Sequence, residues 1–179
     1  MGVVSLLEEV VRDLERHSAQ AGWDAAPRLY ALVRSSELRR AEPGIADQLP
    51  DDAEALVPVE QEALPDQDDL EKALAAIVWP DAVDGCALVI ERVILPSDVE
   101  AEIPEDPDEA QAFIGAHPAR EDVRMVVGVL RDGTRASALR MRGHDTEDEV
   151  LTGPDLVRNI PDALVATFEP DEPGAASER

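Results

Sequence analysis

Six arginines fall between residues 120 and 143, namely Arg120, Arg124, Arg131, Arg135, Arg140 and Arg142, against Glu121, Asp122 and Asp132. A guanidinium is a planar fork that holds carboxylates and phosphates through paired hydrogen bonds, so this segment is the chain's best candidate for binding chemistry. Arg124, Arg135, Arg140 and Arg142 lie on a hairpin, and Glu60 and Trp79 complete the set of candidate binding residues. The competing expectation is that the arginines form ion pairs with the chain's own carboxylates, each worth roughly 0 to 1 kcal/mol when exposed.

No catalytic constellation is found. His144-Asp145-Thr146-Glu147-Asp148-Glu149 offers oxygens at alternate positions, as a calcium loop does. Val150 stands where the sharp turn needs glycine, and Leu156 where a bidentate glutamate belongs, so a solvated loop is expected instead. His17, His117 and His144 are far apart and in no ligand spacing. Cys86 opens an apolar run, Ala87-Leu88-Val89-Ile90, where a thiol is inert. As the chain's sole cysteine it excludes an intrachain disulfide. There is no Gly-x-Ser-x-Gly elbow, Walker loop or dinucleotide fingerprint. Neither a metal nor a cofactor is expected. An enzyme or a small-molecule or anion binder would have to gather Glu60, Glu91, Cys86 and the hairpin arginines around one pocket.

Charge separates the chain into blocks. Residues 41 to 119 hold 21 acidic residues against Lys72 and Arg92, and the 179-residue chain has a formal charge of −24. Such a field repels phosphate backbones, so nucleic acid is not an expected partner. No run of about eighteen apolar residues is present, so no membrane span is expected, and a cytoplasmic location follows as the default. The preponderance of arginine over lysine, with abundant Ala and Val, suits a GC-rich genome.

These residues need elements to position them. Leu6, Leu7, Val10, Val11 and Leu14, with Val3 and Val4, recur at helical spacing opposite Glu8, Glu9, Arg12, Asp13 and Arg16, which predicts an amphipathic helix ending near Gly22. Arg28 to Arg34 reads as a strand, followed by a short helix capped by Ser36. Leu56 to Val59 suits an edge strand, because Pro58 cannot donate to an inner ladder. Asp68-Asp69-Leu70-Glu71 opens a helix running to Trp79. Gly85 to Leu95 is a central strand covered on both faces. Asp106-Pro107-Asp108-Glu109 caps a further short helix that ends near His117.

Val123 to Arg131 and Thr134 to Arg142 flank Asp132-Gly133, which predicts a two-residue type I′ hairpin with Val127 opposite Ala138. In that register Arg124 and Arg135 share one face, Arg140 and Arg142 the other, and the arginines do not converge. Pro154 is expected to open a last helix that Pro161 breaks or kinks. The fold class is α+β: a single, mainly antiparallel sheet of four to five strands with flanking helices. It forms one domain over residues 1 to 169, with a disordered tail at 170 to 179.

Gly22-Trp23-Asp24, Arg28-Leu29-Tyr30-Ala31-Leu32-Val33, Pro58-Val59-Glu60-Gln61-Glu62, Trp79-Pro80, Val83-Asp84-Gly85-Cys86-Ala87-Leu88 and the hairpin from Arg124 through Arg142 carry a resemblance. Together they are similar to an uncharacterised family of short, acidic actinobacterial proteins. The resemblance implies a cytoplasmic domain and no established activity, cofactor or catalytic residue. In size, charge and element order the chain also resembles type III secretion chaperones. A non-enzymatic protein that binds a partner protein or a second copy of itself is therefore expected, its sheet face or acidic grooves making the contact.

Overall fold

A computed structural model describes residues 5–61, 70–154, 156–157 and 159–168. The elements run α1 (Leu6–Ala21), β1 (Arg28–Arg34), α2 (Ser35–Ala41), β2 (Leu56–Glu60), α3 (Leu70–Ala75), β3 (Val83–Ile94), α4 (Ser97–Glu100), α5 (Pro107–Ala116), β4 (Glu121–Leu130), β5 (Arg135–Met141), β6 (Leu151–Gly153) and α6 (Ile160–Ala166). The strands form one antiparallel sheet of six in the order β2-β1-β3-β4-β5-β6, not of four to five. The additional strand is β6, whose three residues are too few to show an alternating pattern.

Helix α1 covers one face. Ser5 accepts from the Glu8 N–H at its start, and Gly22, at φ 90°, ends it. Its stripe of Leu7, Val10, Val11 and Leu14 packs on Tyr30, Leu32, Ala87, Val89, Val126, Ala136 and Ala138. Each such side chain contributes about 1.5–3 kcal/mol on burial. Helices α3 and α6 cover the opposite face, where Leu74 and Leu164 meet Cys86, Leu88, Val127 and Val129. Helices thus lie on both sides of the sheet, as the sequence led us to expect.

Other boundaries follow local chemistry. β2 occupies the sheet edge, as Pro58 requires. Ser36 caps nothing; α2 begins a residue earlier, and Ser35 donates to the Asp52 carbonyl. α3 stops at Ala75, short of Trp79, and the capping residues Asp68 and Asp69 lie outside the described residues, as does the 170–179 tail. Asp106 accepts from Glu109 N–H and Pro107 begins α5. Pro161 sits in the first turn of α6, where a missing N–H costs nothing, so it starts that helix and does not break it.

The hairpin differs from its predicted form by one residue. Leu130 N–H donates to Thr134 O at 2.8 Å and Gly133 N–H to Leu130 O at 3.0 Å, enclosing the three-residue loop Arg131-Asp132-Gly133. Gly133 takes φ 92°, the left-handed residue that follows a type I turn in such loops. Val126, not Val127, therefore faces Ala138, and Arg124 faces Arg140. A one-residue slip moves a side chain to the other face, so the correction brings together two arginines expected to lie apart.

Candidate functional site

Three side chains on the α1 face form a row across the sheet, Glu91 on β3, Arg124 on β4 and Arg140 on β5, each opposite the next. Above them lies the C-terminal half of α1. There Glu15 is only 2 % exposed, and it follows Val11 by one helical turn, on the buried side of the stripe. Arg140 is 5 % exposed and Arg124 1 %, so two cations and one anion lie in the interior. Buried charges persist only when paired and hydrogen-bonded.

Arg140 grips Glu15 with both ends of its fork, Nε to Oε2 at 2.6 Å and Nη2 to Oε1 at 2.8 Å, and its Nη1 reaches Asp145 at 2.9 Å. These bonds raise the Arg140 pKa, Glu15 contributing most. Arg124 Nη1 lies 3.8 Å from Glu15, while Nη2 donates to Gly22 O at 2.7 Å, which adds a backbone cap to the end of α1. The Arg124 guanidinium also stacks on Trp23, 4.3 Å from its ring centre, and Arg142 approaches the same ring at 5.5 Å. Trp23 Nε1 donates to Asp145 at 2.9 Å, and that bond, with the Arg140 contact, lowers the Asp145 pKa.

The rim is held similarly. Arg142 takes Asp24 by both oxygens, at 2.9 and 3.1 Å, and Asp122 at 3.3 Å; the hydrogen bond from Arg142 lowers the Asp24 pKa. Glu91 accepts the backbone N–H groups of Asp24 and Ala25 at 2.9 and 3.1 Å. The loop following α1 is thus fastened to β3, β4 and the residues after β5. The arrangement locks helix to sheet, and each of its carboxylates is held by hydrogen bonds within the network.

The remaining candidates lie elsewhere. Arg135 pairs with Asp162 at 3.0 Å. Glu60 is exposed on the edge strand β2. Trp79 donates to Thr167 at 2.8 Å and stacks on Phe168, with ring centres 6.0 Å apart. Cys86 belongs to the α6 face, opposite Glu91, so the pocket that would have gathered Glu60, Glu91, Cys86 and the hairpin arginines is not formed. In the loop that begins at His144, Asp145 and Glu149 pair with Arg140 and His144 respectively. Among the described residues no group of three metal-ligating side chains occurs.

Burial pushes the Cys86 thiol up to about 12, with the Thr167 hydrogen bond opposing. A raised folded value keeps the thiol protonated throughout the neutral range. The native protein should therefore give no reaction with a thiol-exchange chromogen at pH 8, and one equivalent after denaturation. Prompt native labelling would contradict the burial described.

Two adjoining cavities of about 350 and 190 Å³ run between α1 and β6, sharing Arg12 and Thr152. Their charged lining is balanced, Arg12, Arg16 and Arg135 against Glu8, Glu15 and Asp148.

The fold and this network define an α+β protein, helices on both faces of one antiparallel sheet, whose most deeply buried charges are bound to one another. The chain belongs to the PPA1309-like protein family, whose profile matches residues 7–169. No curated protein and no solved structure matches it. Glu15, absent from the sequence-derived candidates, was detectable as a carboxylate in phase with Leu7, Val11 and Leu14.

Proposed function

We propose that the chain is a non-enzymatic, cytoplasmic, actinobacterial partner-binding protein, and that the segment between β3 and β4 makes the contact. Residues 96 to 119 carry seven carboxylates and neither Lys nor Arg. Within the segment α5 buries no residue, although Ala110, Phe113 and Ile114 form a stripe at helical spacing that is only half covered. That half-buried stripe is the observation on which the reading rests. A helix of low self-packing on a long connection is where binding residues concentrate. Its acidic surroundings select a protein whose docking face is rich in Lys and Arg, through steering and complementarity. They disfavour nucleic acid.

The cavities beside α1 support a different reading, a small anionic ligand at Arg12. Carboxylates equal cations in that lining, and Arg135 is already paired, so the segment between β3 and β4 is the better-supported contact.

Affinity capture from the native host tests the proposal, using the intact chain and the variant Phe113→Ala/Ile114→Ala. A stoichiometric partner with a basic face should be retained by the parent and lost at least tenfold by the variant, as a central apolar anchor loses about 1–2 kcal/mol or more on truncation. A partner retained equally by both, or a sole monomer with no stoichiometric partner at micromolar concentration, overturns it.

A further inference from the structure

Among the described residues, Arg124 Nη1 and Ser18 Oγ are buried donors with no hydrogen-bond partner. Arg124 is 1 % exposed and Ser18 7 %. Both line one small pocket bounded by the end of α1, the loop after it, and β3, with Gly22, Arg28, Val89 and Glu91 among its other walls. It leaves about 10 Å³ for the centre of a water molecule, room for about one. An unsatisfied buried donor loses the hydration it had in the unfolded chain, at a cost of about 1–3 kcal/mol and more for a charged group.

We infer that this cavity holds one internal water molecule, accepting from Arg124 Nη1, exchanging a hydrogen bond with Ser18 Oγ and donating to Glu91. The chemistry of the walls selects the occupant. A guanidinium supplies a donor, a carboxylate an acceptor, and a hydroxyl either. Only a ligand that both accepts and donates matches all three. A halide would accept from Arg124 and Ser18 but face the Glu91 carboxylate, with Glu15 beyond Arg124. The water completes the polar row Glu91–Arg124–Arg140 and adds a link from α1 to β3 and β4.

An atomic-resolution crystal structure grown from bromide, with water magnetic relaxation dispersion on the same intact chain, tests this. The expected result is a density peak within hydrogen-bond reach of Arg124 Nη1 and Ser18 Oγ, without anomalous signal. One long-lived water should also appear in the dispersion. In Ser18→Val, whose methyl groups fill the cavity and remove the hydroxyl, that contribution should disappear while far-ultraviolet circular dichroism is retained. An empty cavity, an anomalous bromide peak at the site, or an undiminished dispersion in folded Ser18→Val would each overturn the assignment. Should the variant not fold, the parent crystal decides.

Discussion

Replacing Glu15 with alanine should destabilise the protein by about 3–5 kcal/mol, the loss expected when one partner of a buried ionic cluster is removed. Glu15 is the only anion of the cluster that is itself fully interior. Its loss leaves Arg140 with Asp145 alone and removes the nearest carboxylate from Arg124. The penalty is the desolvation of two cations that can neither leave nor discharge, so it exceeds what an exposed pair would give. Urea unfolding followed by circular dichroism measures it, with Glu60→Ala as control. Glu60 is exposed at the sheet edge, and its removal should change stability by no more than about 0.5 kcal/mol. Equal midpoints for the two variants would show that the cluster carries no stability. Exchanging Glu15, Arg124 and Arg140 together for apolar residues should restore much of the loss, because no charge is then stranded.

Gly85→Ala should cost about 1–3 kcal/mol, at the upper end for a single added methyl. An added Cβ would lie 2.4 Å from the backbone oxygen of Val129 and 2.8 Å from Leu130 Cδ2. Gly85 sits beside the irregularity at which β1 passes from pairing Leu32 with Gly85 to pairing Val33 with Val83, leaving Asp84 as the extra residue. The obstructing atom is main chain of a central strand, so no rotamer change relieves it. Gly128 provides the comparison. There a Cβ meets side-chain atoms of Val11 and Leu7 at 2.9 and 3.0 Å, which can shift, and Gly128→Ala should be the milder variant. Thermal midpoints of the two rank them; the reverse order would refute the account of Gly85.

Much of the architecture was legible where one residue type admits one geometry. Pro58 marked an edge strand, Gly22 a helix end, and Asp106-Pro107 a helix start. The apolar run beginning at Cys86 marked a strand buried on both sides. The site was less legible, for a specific reason. Arg131-Asp132-Gly133-Thr134 accommodates either a two-residue or a three-residue loop, since both use glycine at positive φ. That one-residue ambiguity decides whether Arg140 shares a face with Arg124, and local sequence does not contain the answer. Packing does: only the observed register puts Ala136 and Ala138 under α1 and Leu139 under α6. Glu15 was obscured by the charged residues around it on α1, and β6 by its brevity.

The two flanks of the sheet have a consequence for how copies of the chain behave when crowded. On one side Pro58 removes a donor from the outermost strand, and on the other the terminal strand is three residues long and followed at once by Pro154. Another molecule finds too few free amides at either margin to add itself as the next rung. Combined with mutual repulsion among copies of like sign, this keeps a chain with long valine- and leucine-rich strands from growing into fibres.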